Sequence, residues 1–380
     1  GTIKANASYS PAISNRSTGR IIVRNGTITG SISSGINNGD SGIIEIFGGN
    51  ISGSGSDGIS NSGQATIIGG NILGLYNSGQ TTITGGTIDP SRNSGNGITN
   101  SKSGMLILGE KDGTANKESP VIIGNKYGIN NSGIFNFYDG IIKGKTNAIS
   151  GTVTEIEEGY EIIKETIDGY EVKYLDKLPI AKLVNKDKEY TDLQEAINDA
   201  ETGETIEILR DATFISSTET IEVSESKNIV IDLKGYILTR ANSTLLNNKG
   251  TLEIKDSGQG EEGSKTYGKI ENTGGTAITN NESGILEINN ATITASSTGI
   301  ANNNTGKVTI NKGTITGYDG INNASTEKVI INGGSILSIG GYQDSNEAAI
   351  INSSSGIVEI NDGTIKANAS YSPAISNRST

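Results

Sequence analysis

With neither His nor Cys in 380 residues, acid–base and metal chemistry in this sequence falls to the carboxylates. Five recur singly in Gly-rich turns: Asp57, Asp89, Asp139, Asp319 and Asp362. Carboxylates paired on neighbouring strands could bind calcium through oxygen, or divide the work of general acid and base. These five are spaced one to a turn, and no Asp-x-Asp pair joins them. Glu261 and Glu262 are adjacent, but they sit in GQGEEGSK, whose glycines read as a solvated loop. No Gly-Gly-x-Gly-x-Asp-x run supports calcium coils. The sequence therefore predicts no catalytic, cofactor or metal site. Two binding surfaces are conceivable. Thr-x-Thr pairs at Thr27-Thr29, Thr292-Thr294 and Thr314-Thr316 would suit ice if regular, yet they fill only three of ten alignable positions, which β-propensity explains. Tyr76, Tyr138, Tyr318, Tyr342 and Tyr371 could stack on sugars, although their scatter suits simple turn packing.

The elements that would position these residues are short and repetitive. Aligned at G-x-Ψ-x-Ψ, with Ψ apolar, the chain falls into rungs such as GIIEIFGGNISG, GQATIIGGNILG, GKVTINKGTITG and GIVEINDGTIKA. One apolar column runs Val23, Ile46, Ile67, Ile83, Leu108, Phe137, then Ile254, Ile288, Ile310, Ile331 and Ile360. A second lies two residues earlier. A third, about five residues later, holds Ile28, Ile51, Ile72, Ile88, Ile142, Ile293, Ile315, Ile336 and Ile365. Successive rungs are mostly 21 to 25 residues apart, with extremes of 16 and 34. Alternation with period two means strands with one face inward, too short and Gly-punctuated for helices. Three short strands per rung describe an all-β fold, a parallel β-helix with coils of about 22 residues, each strand pairing with its equivalent one coil on.

A fourth column ends the third strand of each rung in apolar-x-Asn: Asn38, Asn61, Asn77, Asn100, Asn131, Asn247, Asn280, Asn302, Asn323, Asn352 and Asn377. Asn tolerates the left-handed backbone of a corner, and amides stacked about 4.8 Å apart can bond in a ladder.

Composition agrees with a thin core. Hydrophobic residues make up 33% and aromatics 4%, with 53 glycines, too little for a thick globular interior. The net charge of −12 is local: residues 152–211 hold 17 acidic and 7 basic side chains, leaving −2 for the rest. Nucleic acid binding, which needs clustered Lys and Arg, is not expected. No run of about 18 apolar residues is present to span a membrane. The absence of Cys fits a cell exterior.

The rung pattern covers residues 1–150 and 205–380, with an acidic junction at 151–186 and a helix at 187–204 between them. Asp168-Gly169 is a two-residue turn between YEIIKETI and YEVKYL, predicting an antiparallel hairpin. In EYTDLQEAINDAETG, Thr191 reads as the helix cap with Gln194 in the capping-box position. Leu193, Ala196, Ile197 and Ala200 share an apolar face, and Gly203 ends the helix. Such a helix can cover the open edge of a first coil at 205–209. Residues 1–18 recur without substitution as 363–380, so the expected unit is a tandem module of 362 residues. In that order a module begins near residue 179, runs through 380, continues at 19 and closes near 150.

YTDLQEAINDAETGETIEIL, followed by IVIDLKGYIL, NKGTLEIKDSG and GGTI-type turns, resembles the pectate-lyase-like right-handed β-helix modules of large cell-surface proteins in Firmicutes such as clostridia. The resemblance spans essentially the whole chain. It implies a right-handed parallel β-helix in a secreted or wall-associated structural protein: a stalk, filament or adhesin at the cell surface. Its partners would be neighbouring copies end to end, and host or environmental glycans. Enzymes on that fold, the pectate lyases and polygalacturonases, use clustered carboxylates that this sequence does not group, so a non-enzymatic role is expected. The alternative is a polysaccharide-binding or polysaccharide-degrading module.

Overall fold

The computed structural model describes residues 1–7, 9–55, 57–90, 95–111, 114–214, 220–258, 268–340, 347–368 and 373–378. Glu261, Glu262, Tyr342 and Tyr371 lie outside them. The chain forms two compact units, Gly1–Leu178 and Pro179–Thr380. Both consist mainly of short strands in parallel sheets, and the described residues hold a single helix.

In the first unit, successive strands take turns among three sheets of nine, seven and seven strands. Thr27–Gly30 lies in one, Ile36–Asn38 in the next and Ile43–Ile46 in the third. Asn50–Gly53 then returns to the first and pairs in parallel with Thr27–Gly30, Ile51 opposite Ile28. This is the pairing of a β-solenoid. The apolar columns stack as the spacing predicts: Ile46, Ile67, Ile83, Leu108 and Phe137 lie opposite one another strand by strand, all fully buried. A slip of one residue in any coil would turn its Ile outward, so the columns hold the register. Beside them, Ile44, Ala65, Thr81, Leu106 and Phe135 fill a second column. Phe135 and Phe137 stack with ring centroids 5.9 Å apart.

Glycines make one corner. Gly70 has φ +97°, and a Cβ there would lie 2.8 Å from the Gly49 carbonyl oxygen in the coil below, so both conformation and space demand Gly.

The second unit repeats the scheme. Ile206, Ile231, Ile254, Ile288, Ile310, Ile331 and Ile360 align in one column of its fourteen-stranded sheet. Leu238, Ile270, Ile293, Ile315, Ile336 and Ile365 align in another. The structure adds Ile206, Ile231, Leu238 and Ile270 here, and Ile122 in the first unit, to the columns read from sequence. Strands Ile285–Ala295 and Lys307–Gly317 run eleven residues, where separate short strands were expected. Asn290, at φ +66°, takes the corner within the first of them, beside a shift of register.

The predicted hairpin forms from Tyr160–Ile167 and Tyr170–Lys177, with Asp168 at φ +52° and Gly169 at φ +79°. It extends the first unit, because Tyr170–Lys177 pairs antiparallel with Ile141–Gly144. Residues 151–186 are thus shared between the units. Ala181–Leu183 belongs to the second, antiparallel to both Glu204–Ile208 and Lys188–Tyr190.

Candidate functional site: stacked asparagines and end caps

The ladder strands place one Asn inward per coil, behind a buried Ile or Leu. In the first unit, Asn15 Nδ2 donates to Asn38 Oδ1 (2.9 Å), Asn38 to Asn61 (2.8 Å), Asn61 to Asn77 (3.1 Å), Asn77 to Asn100 (2.8 Å) and Asn100 to Asn131 (2.7 Å). Asn131 ends the run by donating to the Thr152 carbonyl at 2.7 Å. In the second unit the chain of donors is Asn248, Asn280, Asn302, Asn323, Asn352 and Asn377, at 2.7 to 3.1 Å. The ladder therefore has a direction, each amide donating to the coil that follows.

The Nδ2 group also donates to a nearby backbone carbonyl: Asn38 to Gly42, Asn280 to Gly284, Asn302 to Gly306 and Asn352 to Gly356, each at 2.9 Å. Elsewhere the loop is shorter and the carbonyl is two residues on, as from Asn61 to Gly63. Gly fits because a Cβ at Gly42 would fall 2.2 Å from Asn38 Oδ1.

That spacing corrects the sequence reading at one rung. Asn248, not Asn247, occupies the ladder, two residues before Gly250, to whose carbonyl it donates at 3.2 Å. Leu245 and Leu246 are both fully buried, so apolar-x-Asn fits two registers there. Asn-x-Gly or Asn-x-x-x-Gly would have chosen between them, and would also have found Asn15, four residues before Gly19.

Asn247 faces outward, where Asn281 Nδ2 donates to it at 2.7 Å and Asn303 donates to Asn281 at 2.8 Å. A further outer row joins Asn289, Asn311, Asn332 and Asn361 at 2.8 to 2.9 Å. These outer rows follow the strand residues in plain view, but a polar residue facing solvent carries no signal of its own.

At the start of the inner ladder, Asn248 Oδ1 is buried without a hydrogen-bond donor, because the preceding coil carries Val223 at that position. Between that coil and solvent lies the helix Leu193–Asp199, packed through buried Leu193, Ala196, Ile197 and Ala200. Its cap is Asp192 rather than Thr191: the Asp192 carboxylate accepts from the Gln194 and Glu195 backbone N–H groups at 2.6 and 3.2 Å. A carboxylate at a helix start is favoured by both hydrogen bonding and the helix dipole, which explains the one-residue displacement. Gln194 is released from the capping box. Its amide bonds the Glu222 backbone instead, accepting from N–H at 2.7 Å and donating to C=O at 3.0 Å. Those are the two bonds another strand would make, so one side chain closes part of a sheet edge.

The far end of the helix is held by cations from other elements. Lys227 Nζ donates to the Asn198 and Ala200 carbonyls, both at 2.7 Å, and Lys186 donates to Asp199 O at 2.7 Å. Hydrogen bonds from the Tyr190 hydroxyl and from Lys188 hold the Asp199 carboxyl down to about 2.

Three of the isolated carboxylates hold backbone of their own turn or of a neighbouring coil. Asp139 accepts from the Asn116 backbone N–H and side chain, both at 2.6 Å. Asp362 accepts from the Gly363 N–H at 2.7 Å. Asp319 accepts from the Ala348 N–H at 3.3 Å, and burial raises its pKa, as burial raises that of Asp57. Among the described residues, no group of three or more acidic side chains is placed to hold a metal ion. Of the turn tyrosines, Tyr138 is 5% exposed and lies beneath the Lys111 amine, whereas Tyr76 and Tyr318 are exposed. Thr292 and Thr294 pair with Thr314 and Thr316, while Thr27 and Thr29 neighbour Asn50 and Ser52 on the following coil. Searches of protein families, curated proteins and solved structures found no match to the chain.

Two outcomes follow from this geometry. Replacing Asn302 by Ala removes one bond from each buried neighbour, leaving Asn280 Nδ2 with the Gly284 and Lys307 carbonyls and Asn323 Oδ1 with only the Ser325 N–H at 3.4 Å, a cost of about 1–3 kcal/mol, while Asn311→Ala on the outer row costs about 0.5 kcal/mol. Urea denaturation of the two variants measures the contrast. Because the Asp199 pKa is depressed, its contribution is fully present above about pH 4 and is lost as pH falls through about 2. Thermal melts should show Asp199→Asn less stable than the parent at pH 5, with the gap closing as pH approaches 2.

Proposed function

We propose that this chain is a structural repeat of an extracellular bacterial surface protein, built as a right-handed parallel β-helix that spaces something away from a cell as a stalk, filament or adhesin. The observation that carries the reading is the inner Asn ladder through six successive coils of each unit, which commits the interior amides of those coils to holding their neighbours. Right-handedness accords with the strong preference of parallel crossover connections. The resemblance to pectate-lyase-like surface modules and the 362-residue duplication support a tandem array.

A second reading, a glycan-binding or glycan-cleaving module, has one observation in its favour. A groove of about 450 Å3 in the second unit is lined by Glu225, Lys249, Thr251, Thr305, Lys307 and Glu327 among others, groups that can bond sugar hydroxyls. It contains no aromatic platform, so the structural role is preferred.

Electron microscopy of concatenated repeats separates the two. The ladder sheets have seven strands each and share the duplicated coil, giving thirteen coils per repeat. At about 4.8 Å per coil, contour length should grow by about 60 Å for each repeat added. Compact particles whose length does not scale with repeat number would overturn the structural reading; selective glycan retention or chelator-sensitive turnover would install the alternative.

A further inference from the structure

The sequence holds four Asn-Gly pairs: Asn25-Gly26, Asn38-Gly39, Asn96-Gly97 and Asn332-Gly333. In such a pair the Gly nitrogen can attack the side-chain carbonyl carbon of the Asn, because no Cβ hinders the approach. The reaction needs that nitrogen to lie against the side chain of its own neighbour, free of bonds to other coils. The fold separates the four pairs on this requirement.

Two pairs are locked. The Gly39 N–H donates to the Asn15 carbonyl at 2.8 Å, and the Asn38 side chain is fully buried in the ladder between Asn15 and Asn61. The Gly97 N–H donates to the Tyr127 carbonyl at 3.0 Å, and the Asn96 amide is turned to the Thr99 hydroxyl at 3.1 Å. In the third pair, Asn332 is held on both sides within the outer row, donating to Asn311 at 2.8 Å and accepting from Asn361 at 2.9 Å. Asn25 differs from all three. The Gly26 N–H donates to Oδ1 of Asn25 itself at 2.7 Å, which sets the nucleophile beside the carbon it attacks, and no other described group bonds the Asn25 side chain. With Val23 opposite Ile46 and Thr27 opposite Asn50, the following coil carries Gly48 beside Asn25, so no side chain covers it from there.

We propose that Asn25-Gly26 is a site of spontaneous deamidation, and that the reaction loosens the corner between Arg20–Val23 and Thr27–Gly30. The Gly26 nitrogen gives its proton to solvent base and bonds to Asn25 Cγ. The side-chain amide takes up a proton and leaves as ammonia, closing a cyclic imide. Water then adds to either imide carbonyl, so one water is consumed and one ammonia released. Opening at one carbonyl leaves an aspartate in the ordinary linkage. Opening at the other routes the main chain through the former side chain and lengthens it by one carbon. The corner is fixed against that change: the Phe47 N–H to Val23 carbonyl and Asn50 N–H to Gly26 carbonyl bonds, both 2.8 Å, straddle the reacting peptide. A longer main chain between Val23 and Gly26 cannot keep both bonds while the isoleucine columns hold their register. The inner ladder has the opposite effect at Asn38, since an amide bonded on every side reacts only when its coils separate.

Peptide mass spectrometry of the full chain incubated at pH 8 tests the proposal. Asn25 should gain the mass of deamidation at least about 10-fold faster than Asn38 or Asn96, and ahead of Asn332. Hydrogen exchange at the Phe47 and Asn50 amides should quicken in step with it. In the urea-unfolded chain the four pairs should react at similar rates, which assigns the difference to the fold. Asn25→Gln should remove the fast reaction and leave the Phe47 and Asn50 amides protected throughout. The proposal is overturned if Asn25 in the folded chain reacts no faster than the other three, if the unfolded chain shows the same preference, or if deamidation leaves those two amides as protected as before.

Discussion

A buried primary amide must find partners for two donors and an acceptor, and in this protein it finds them one coil on, one coil back and in its own loop. That requirement sets much of the rest. It demands parallel strands in register, since a neighbour shifted by two residues toward its C-terminus would offer an Ile or Leu instead of an Asn. It demands a close loop of fixed length, which Gly42, Gly284, Gly306 and Gly356 provide. The isoleucine columns supply most of the favourable free energy, roughly 1.5–3 kcal/mol for each side chain fully buried. They are tolerant of exact partner, as Ala65 and Thr81 standing between Ile44 and Leu106 demonstrate. The amides are not tolerant. Apolar stacking makes the coils stick, and the ladder decides how they align.

Ends are the difficulty of such a design, and each unit covers one. The hairpin adds two antiparallel strands to a parallel sheet and buries Leu175 in the core of the first unit. In the second unit the covering element is a helix, with Ala181–Leu183 and Lys188–Tyr190 finishing the sheet beside it. Gln194 satisfies one strand backbone directly, and Lys186 and Lys227 neutralise the helix carbonyls. The acidity concentrated in 152–211 is therefore structural in part, pairing with lysines such as Lys186 and Lys188 rather than marking a binding face.

Much of this was legible in the sequence. Period-two alternation between Gly corners identifies strands, and the spacing of Ile46, Ile67 and Ile83 leaves few arrangements besides coils stacked one on another. The hairpin was readable at Asp168-Gly169 because only a primed turn accommodates two positive φ values between paired strands. Failures came where local chemistry offers two equal choices. Leu-Leu-Asn-Asn at 245–248 fits either register until the loop glycine is counted, and Thr191-Asp192 offers two good caps until charge is weighed. The turn carboxylates were visible as types and as one to a turn, but the groups that each would hold, such as Asn116 for Asp139 and Ala348 for Asp319, are set by coil geometry that no linear spacing encodes. Outer rows such as Asn289, Asn311 and Asn332 were invisible for a different reason: solvent would satisfy those amides equally well.

Proton exchange at the asparagine side chains tests the central claim most directly. With Asn labelled in the full chain, the Nδ2 protons of Asn280, Asn302 and Asn323 should exchange with solvent roughly 100-fold or more slowly than those of exposed Asn332 and Asn361, since release requires separating whole coils. Exchange at the same fast rate in both sets would mean that the inner amides are not bonded to one another, and the account of how the coils are aligned would be wrong.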